Sequence, residues 1–204
     1  MYYPERIEIM RTSEIKRSTS ETEVSVKLCV DGAGRSVINT GVGFLDHMLT
    51  LFAVHGRFDL EVTCTGDTVI DDHHSVEDIG ITLGRAFDQA CGDRRGITRY
   101  GSTWLPMDEA LVLCAADVSG RSCLRFGVKM PAEKVGSFDT ELVEEFFTAF
   151  TREFPISLHF ILQYGTNTHH IIEAVFKSFA RTLSACLAAD SRCPDTIPSS
   201  KGVL

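Results

Sequence analysis

Apolar positions change period several times along this chain, and each change marks an element. Val24, Val26, Leu28 and Val30 alternate with polar residues, which predicts a half-buried strand over 21–30. Asp31-Gly32-Ala33-Gly34 predicts a turn after it. From Gly43 to Gly56 the spacing turns helical, with Phe44, Met48, Leu51 and Phe52 on one side. Residues 58–65 alternate again as a strand and end at Gly66-Asp67. Val76, Ile79, Leu83, Ala86, Phe87 and Ala90 then predict a helix from His73 to about Ala90. A charged connector bounded by glycines follows, from Gly92 to Gly101.

The order then returns. Strand-like segments lie near 103–107, 110–118 and 122–130. A helix over 141–154 is closed by Pro155, a strand covers 156–164, and Gly165-Thr166-Asn167 is a turn. A long amphipathic helix runs from Thr168 to about Ala189, with Ile172, Val175, Phe176, Phe179, Leu183 and Leu187 inward. The tail from Ser191 is rich in Pro and Ser and reads as irregular. Helix, strand, turn and helix therefore occur twice. This predicts an α+β chain of duplicated half-domains, each a small mostly antiparallel sheet with helices packed on one face. The 204 residues suit a single domain of two pseudo-repeats, about 7–95 and 96–190, with a C-terminal tail.

Both long helices open on the same motif. His73-His74-Ser75-Val76-Glu77 and His169-His170-Ile171-Ile172-Glu173 both read HHxxE and start 96 residues apart. On a helix, positions i and i+4 share a face, while neighbours diverge by about 100°. His73 and Glu77 can therefore grip one ion while His74 points towards another, and the second copy repeats the geometry. With two related copies, each ion takes a His/Glu pair from one motif and the adjacent His from the other. Imidazole and carboxylate without thiolate suit Mn, Fe, Co or Zn. Three histidines and a carboxylate with room for substrate favour six-coordinate Mn(II) over closed tetrahedral zinc. The stretch 44–49 aligns with 142–147, so His47 and Glu145 stand 26 and 24 residues before their motifs. His55 and His159 lack a matched carboxylate and read as ordinary histidines.

Composition narrows the class. A net charge of −8 argues against nucleic-acid binding but leaves room for a small anionic substrate in a local basic pocket. No apolar run reaches the ~18 residues of a membrane span, and the polar N-terminus lacks the apolar stretch of a signal peptide. Seven scattered cysteines without a CxxC pair read as free thiols in a reducing compartment, a cytoplasm or a plastid.

Several blocks, in order, carry a resemblance: DGAGRSVINTGVGFLDHML (31–49), GDTVIDDHHSVEDI (66–79), GITRYG (96–101), DEAL (108–111), DVSGR (117–121), NTHHIIEAVFKSFARTL (167–183) and PSSKGVL (198–204). With them the chain resembles the imidazoleglycerol-phosphate dehydratase family of histidine biosynthesis, from about Ile7 to Leu204. The resemblance implies a fold like domain 2 of ribosomal protein S5. It also implies dehydration of imidazole glycerol phosphate to imidazole acetol phosphate. Two manganese ions per active site are implied, one held by His47, His74, His169 and Glu173, the other by His73, Glu77, His170 and Glu145. Some relatives have histidine at position 145; a carboxylate is also a competent ligand for Mn(II).

The resemblance assigns the substrate phosphate to Arg99, Arg121, Ser199, Ser200 and Lys201, with Glu21 and His47 also touching substrate. Arginine forks and an ammonium suit a phosphate dianion. The tail is expected to order when it binds; Arg94, Arg95 and Arg125 are expected to be solvated. Glu21, Glu77 and Glu173 are the implied catalytic carboxylates. A homo-oligomer is implied, 24 subunits built from trimers, with ligands from different chains in each active site.

The chemistry explains the doubled site. The carbon-bound hydrogen that is lost has no neighbouring carbonyl to acidify it. An imidazole ring deprotonated to imidazolate can instead expel the hydroxyl on the attached carbon. Two ions, one at each ring nitrogen, would stabilise that imidazolate and stand further apart than the ~3.5–4 Å of hydrolytic pairs. A dinuclear hydrolase of phosphate esters shares these ligand types. A ferritin-like metal store needs uninterrupted helices, which the strand patterns at 24–30, 58–64 and 156–164 oppose.

Overall fold

The structure is a computed structural model that describes residues 10–204. The first half runs β1 (Thr12–Ser18), β2 (Thr22–Cys29), β3 (Ser36–Asn39), α1 (Gly43–Gly56), β4 (Asp59–Gly66) and α2 (His73–Cys91). The second runs β5 (Tyr100–Met107), β6 (Ala110–Asp117), β7 (Cys123–Gly127), α3 (Leu142–Glu153), β10 (Ser157–Tyr164) and α4 (Thr168–Leu187). A short hairpin of β8 (Lys134–Val135) and β9 (Phe138–Asp139) stands before α3.

The halves share one topology. Their sheets have the orders β1-β2-β4-β3 and β5-β6-β10-β7. In each, three strands pair antiparallel and the short fourth joins the edge in parallel. Alternation fixes the register, because a one-residue slip would turn the apolar set outward. Val26 faces Val62 and Leu28 faces Leu60 across the first sheet, all of them buried.

Each sheet is covered on its inner face by its own helices. The helices also pack across the halves, α2 on α3 and α1 on α4. Four helices thus form a middle layer between two sheets. The core of that layer is aromatic: Phe52 stacks on Phe179 at 5.3 Å, and Phe147 touches Phe160, Phe176 and Phe179. Gly80 and Gly84 let α2 approach α3 closely. A Cβ on Gly80 would meet the Phe146 carbonyl oxygen at 2.7 Å, and one on Gly84 would meet that of Phe150 at 2.6 Å.

The helices and longer strands begin and end within a few residues of the positions that periodicity predicts. Strands β1, β3, β8 and β9 were not foreseen. β1 is an edge strand with no fully buried residue, and Ile15 is its one apolar side chain, so its pattern carries little signal. The tail after Ser191 has no helix or strand, yet it is pinned. Arg95 Nη1 donates to the Asp195 carbonyl at 2.7 Å, Gly96 N to Thr196 at 2.8 Å, and Arg99 Nη1 to Pro198 at 2.7 Å.

Arg94 corrects an expectation. It is buried rather than solvated, with Nη2 on Asp88 at 2.7 Å and its guanidinium 5.2 Å from the centre of the Phe154 ring. A left-handed backbone at Arg94 (φ 59°) accompanies this inward placement, and the buried charge is paired as burial demands. All seven cysteines are free. Among the described residues, no helix is long and apolar enough to cross a membrane.

Candidate metal centre

Both HHxxE motifs sit on the first turn of a helix, where local hydrogen bonds fix them. Asn167 caps α4, its Oδ1 accepting from the backbone N–H groups of His169 (2.9 Å) and His170 (3.4 Å). Asp71 accepts from the His73 N–H at 2.9 Å at the start of α2. In each motif the two rings diverge as helical geometry requires. The His73 and His74 rings stand 6.2 Å apart at 90°, and those of His169 and His170 stand 6.2 Å apart at 82°.

The cross-packing of the helices then assembles two triads. Because α1 lies on α4, His47 meets His169 and Glu173. Because α3 lies on α2, Glu145 meets His73 and Glu77. Within each triad the ligand atoms lie within 4.8 Å of one another. In the first, Glu173 Oε2 is 3.3 Å from His169 Nε2 and 3.9 Å from His47 Nε2. Donors bound at about 2.0–2.3 Å stand roughly 3–4.5 Å apart, so both triads fit a divalent ion. The sites are open: the side chains of His47 and His169 are 47% and 40% exposed, against 9% for Glu173.

Two of the three triad carboxylates have a basic partner. Burial opposes ionisation of Glu173, but Lys177, one turn along α4, pairs with its Oε1, and His47 and His169 add to the pull. The balance lowers the Glu173 pKa. Glu77 Oε1 accepts from Arg152 Nη2 at 3.1 Å.

His74 and His170 join neither triad within the chain. Each is held at Nδ1 by a carboxylate outside its motif: His74 by Asp67 at 3.0 Å, and His170 by Glu109 at 2.7 Å. These bonds raise both histidine pKa values and lower that of Glu109 to about 2. Glu21 stands on this side too, and its charge adds to the field on His74.

The tail that carries Ser199, Ser200 and Lys201 is anchored at Arg99 and at Gly120. The Asp117 carboxylate takes Arg99 Nε at 2.7 Å and Nη2 at 3.2 Å, leaving Nη1 for the Pro198 carbonyl. At the other end of the tail, Leu204 packs on Gly120, where a Cβ would meet its carbonyl carbon at 2.4 Å. Ser199, Ser200 and Lys201 thus lie on the stretch between Arg99 and the Gly120-Arg121 turn.

A family model described as imidazoleglycerol-phosphate dehydratase matches residues 40–183. The chain is 55% identical over 195 residues to the imidazoleglycerol-phosphate dehydratase of Jannaschia sp. (strain CCS1), covering 96% of this chain and all of that one. It is 53% identical to that of Caldanaerobacter subterraneus subsp. tengcongensis over the same shares. The chain belongs to the imidazoleglycerol-phosphate dehydratase family. It is a hydro-lyase of histidine biosynthesis. Solved imidazoleglycerol-phosphate dehydratases have the same fold. The enzyme from Staphylococcus aureus subsp. aureus N315 superposes with a TM-score of 0.80 at 43% identity, over 88% of this chain and 99% of its own. The Pyrococcus furiosus enzyme, solved in complex with (S)-C348, gives 0.81 at 34% identity, over 93% and 100%.

Three residues in the dehydratase site escaped sequence reasoning. Lys177 had a signal, since it stands at i+4 from Glu173. Asp67 and Glu109 had none in the motif spacing, because their contacts with His74 and His170 span 7 and 61 residues.

Proposed function

We propose that the chain catalyses manganese-dependent dehydration of D-erythro-imidazole glycerol phosphate to imidazole acetol phosphate, working as a homo-oligomer. The observation that carries this reading is the pair of open triads, His47/His169/Glu173 and His73/Glu77/Glu145, with His74 and His170 turned away from both. A second copy of the chain would bring its His74 to the first triad and its His170 to the second. That arrangement suits active sites shared between subunits of a 24-mer built from trimers.

Divalent ions held by His47, His169 and Glu173 and by His73, Glu77 and Glu145 would supply Lewis acidity to the substrate's imidazole ring. The chain's own groups do the rest. Arg99, Arg121, Ser199, Ser200 and Lys201 hold the phosphate and so fix the glycerol chain against the ring. Glu21, whose charge acts on His74, moves the carbon-bound proton. Glu77 and Glu173 serve as ligands beside the reacting atoms.

The test is an assay of chelator-stripped enzyme with and without Mn(II), reading ketone product and inorganic phosphate separately. The expected result is Mn-dependent ketone without phosphate release. Phosphate release would instead support a dinuclear phosphate-ester hydrolase. Light scattering with and without Mn(II) checks the assembly, and a metal-independent monomer with full turnover would sink the shared site.

A further inference from the structure

The two histidines left out of the triads are held in the same way, although the residues that hold them are not repeats of one another. Asp67 lies in the turn after β4, and both of its carboxylate oxygens face His74 Nδ1, at 3.0 and 3.2 Å. Glu109 lies in the β5–β6 turn and reaches His170 Nδ1 with Oε2 at 2.7 Å. Its other oxygen accepts from the backbone N–H groups of Asn167 at 2.7 Å and Thr166 at 3.2 Å. One carboxylate thus ties the β5–β6 turn to the residues that lead into α4 and to the second ring of the motif. The first half reaches the same result from a different loop. Two structurally unrelated carboxylates converge on the same atom of equivalent histidines.

We infer that Asp67 and Glu109 are positioning residues that set the tautomer and aim of His74 and His170 for metal binding. A carboxylate at Nδ1 keeps the proton there, so Nε2 carries the lone pair that a metal needs. The bond also stops the ring from rotating and makes Nε2 a better donor. His74 and His170 are 35% and 26% exposed, and among the described residues no other side-chain hydrogen bond holds either ring. Asp108 stands 3.6 Å from His170 Nε2 and is 70% exposed, beyond hydrogen-bond range, and Glu173 acts on the ring only through its charge. An imidazole that must meet an ion held by another subunit cannot rely on its own chain's triad for alignment. The carboxylate supplies that alignment before assembly.

The inference rests on the shared-site reading, and the experiment separates the two. Chelator-stripped protein is titrated with Mn(II), and free Mn(II) is read by electron paramagnetic resonance. Asp67→Ala and Glu109→Ala are expected to weaken Mn(II) binding by about 10–100-fold. Asp67→Asn and Glu109→Gln keep an acceptor for Nδ1–H but lose the charge, so their loss is measurable and smaller than that of alanine. In a His74→Ala background, Asp67→Ala is expected to add no further loss, which a general structural effect would not mimic. Unchanged Mn(II) affinity in the Asp67 and Glu109 variants overturns the inference. Glu109 also anchors backbone at 166–167, so where Glu109→Ala fails to fold, Glu109→Gln and the Asp67 series decide. If His74→Ala and His170→Ala also bind Mn(II) normally, the shared-site reading falls with it. If only the histidine variants lose metal, the positioning role alone is wrong.

Discussion

Lys177 pairs with Glu173 from one helical turn further along α4, so the carboxylate of the first triad has a cation before any metal arrives. Both side chains are largely buried, 16% and 9% exposed, so removing the lysine leaves a nearly buried carboxylate unpaired. Lys177→Met is expected to destabilise the metal-free chain by about 2–4 kcal/mol, somewhat less than a fully buried pair. A divalent ion would replace the lost charge. Thermal melts with and without Mn(II) are expected to show a larger metal-induced rise in Tm for Lys177→Met than for the unmodified chain. Equal rises would mean that Glu173 does not face the ion.

Acid sensitivity of the first half is expected to centre on Asp59. Its Oδ1 accepts from the N–H groups of Ala33 (2.8 Å), Gly34 (3.1 Å) and Arg35 (3.0 Å), and Oδ2 takes the Arg35 guanidinium. The Arg35 side chain, followed by these backbone donors, holds the carboxyl well below the usual range. A depressed folded-state pKa gives stability that is present above the unfolded value near 3.9 and lost as pH falls below it. Asp59→Asn is expected to cost about 1–2 kcal/mol at pH 7, since Arg35 is exposed and screened. Denaturant titrations at pH 7 and pH 3 are expected to show that difference shrinking in acid. A difference that stays constant would point to packing instead.

Gly80 links core packing to the second triad. Alanine there favours the helix intrinsically by about 1 kcal/mol. Its Cβ would nevertheless press on the Phe146 carbonyl at 2.7 Å and the Ala149 Cβ at 2.9 Å. The expected net effect of Gly80→Ala is destabilisation by about 1–3 kcal/mol, because α3 must move off α2. Glu145 moves with α3, away from His73 and Glu77. Mn(II) titration is expected to lose affinity at one class of site and keep it at the other. Uniform weakening would show that the helices move as a unit.

Glu21 carries the acid–base assignment. Glu21→Gln is expected to keep Mn(II) content and lower kcat by about 10²–10⁴-fold, the usual contribution of a general acid–base group. Near-normal turnover would remove it from that role.

The duplicated halves were legible because their signal is local. The 3–4 period of Val76 to Ala90 and of Ile172 to Leu187 marks the long helices, and the strict alternation from Val24 to Val30 marks β2. The divergence of His73 from His74 follows from helical geometry and is seen in the perpendicular rings. What was not legible depends on partners far along the chain. The family resemblance, not the periodicity, put His47 with the second motif and Glu145 with the first; in the structure this follows from α1 packing on α4 and α3 on α2. Arg94 looked like any charge in a charged connector until Asp88 and Phe154 closed around it. The tail has no periodicity at all, because backbone bonds to Arg95, Gly96 and Arg99 hold it rather than an apolar face.

The two triads differ in charge, and that difference is testable. His47, His169 and Glu173 offer two imidazoles and one carboxylate, while His73, Glu77 and Glu145 offer one imidazole and two carboxylates. Imidazole suits zinc, whereas oxygen-rich sets suit harder ions such as Mn(II). Zn(II) added to Mn-loaded protein is therefore expected to displace manganese first from the His47 triad, giving two steps by metal analysis. Mn(II) at the Glu145 triad is expected to depend more on salt, since its half-exposed carboxylates supply more of the attraction. Glu145→His should make the triads alike in composition and merge the two displacement steps. Glu145→Ala should lower the Mn(II) stoichiometry by one ion per active site while the His47 triad keeps its affinity. Full stoichiometry in Glu145→Ala would show that the ion there is held without this carboxylate.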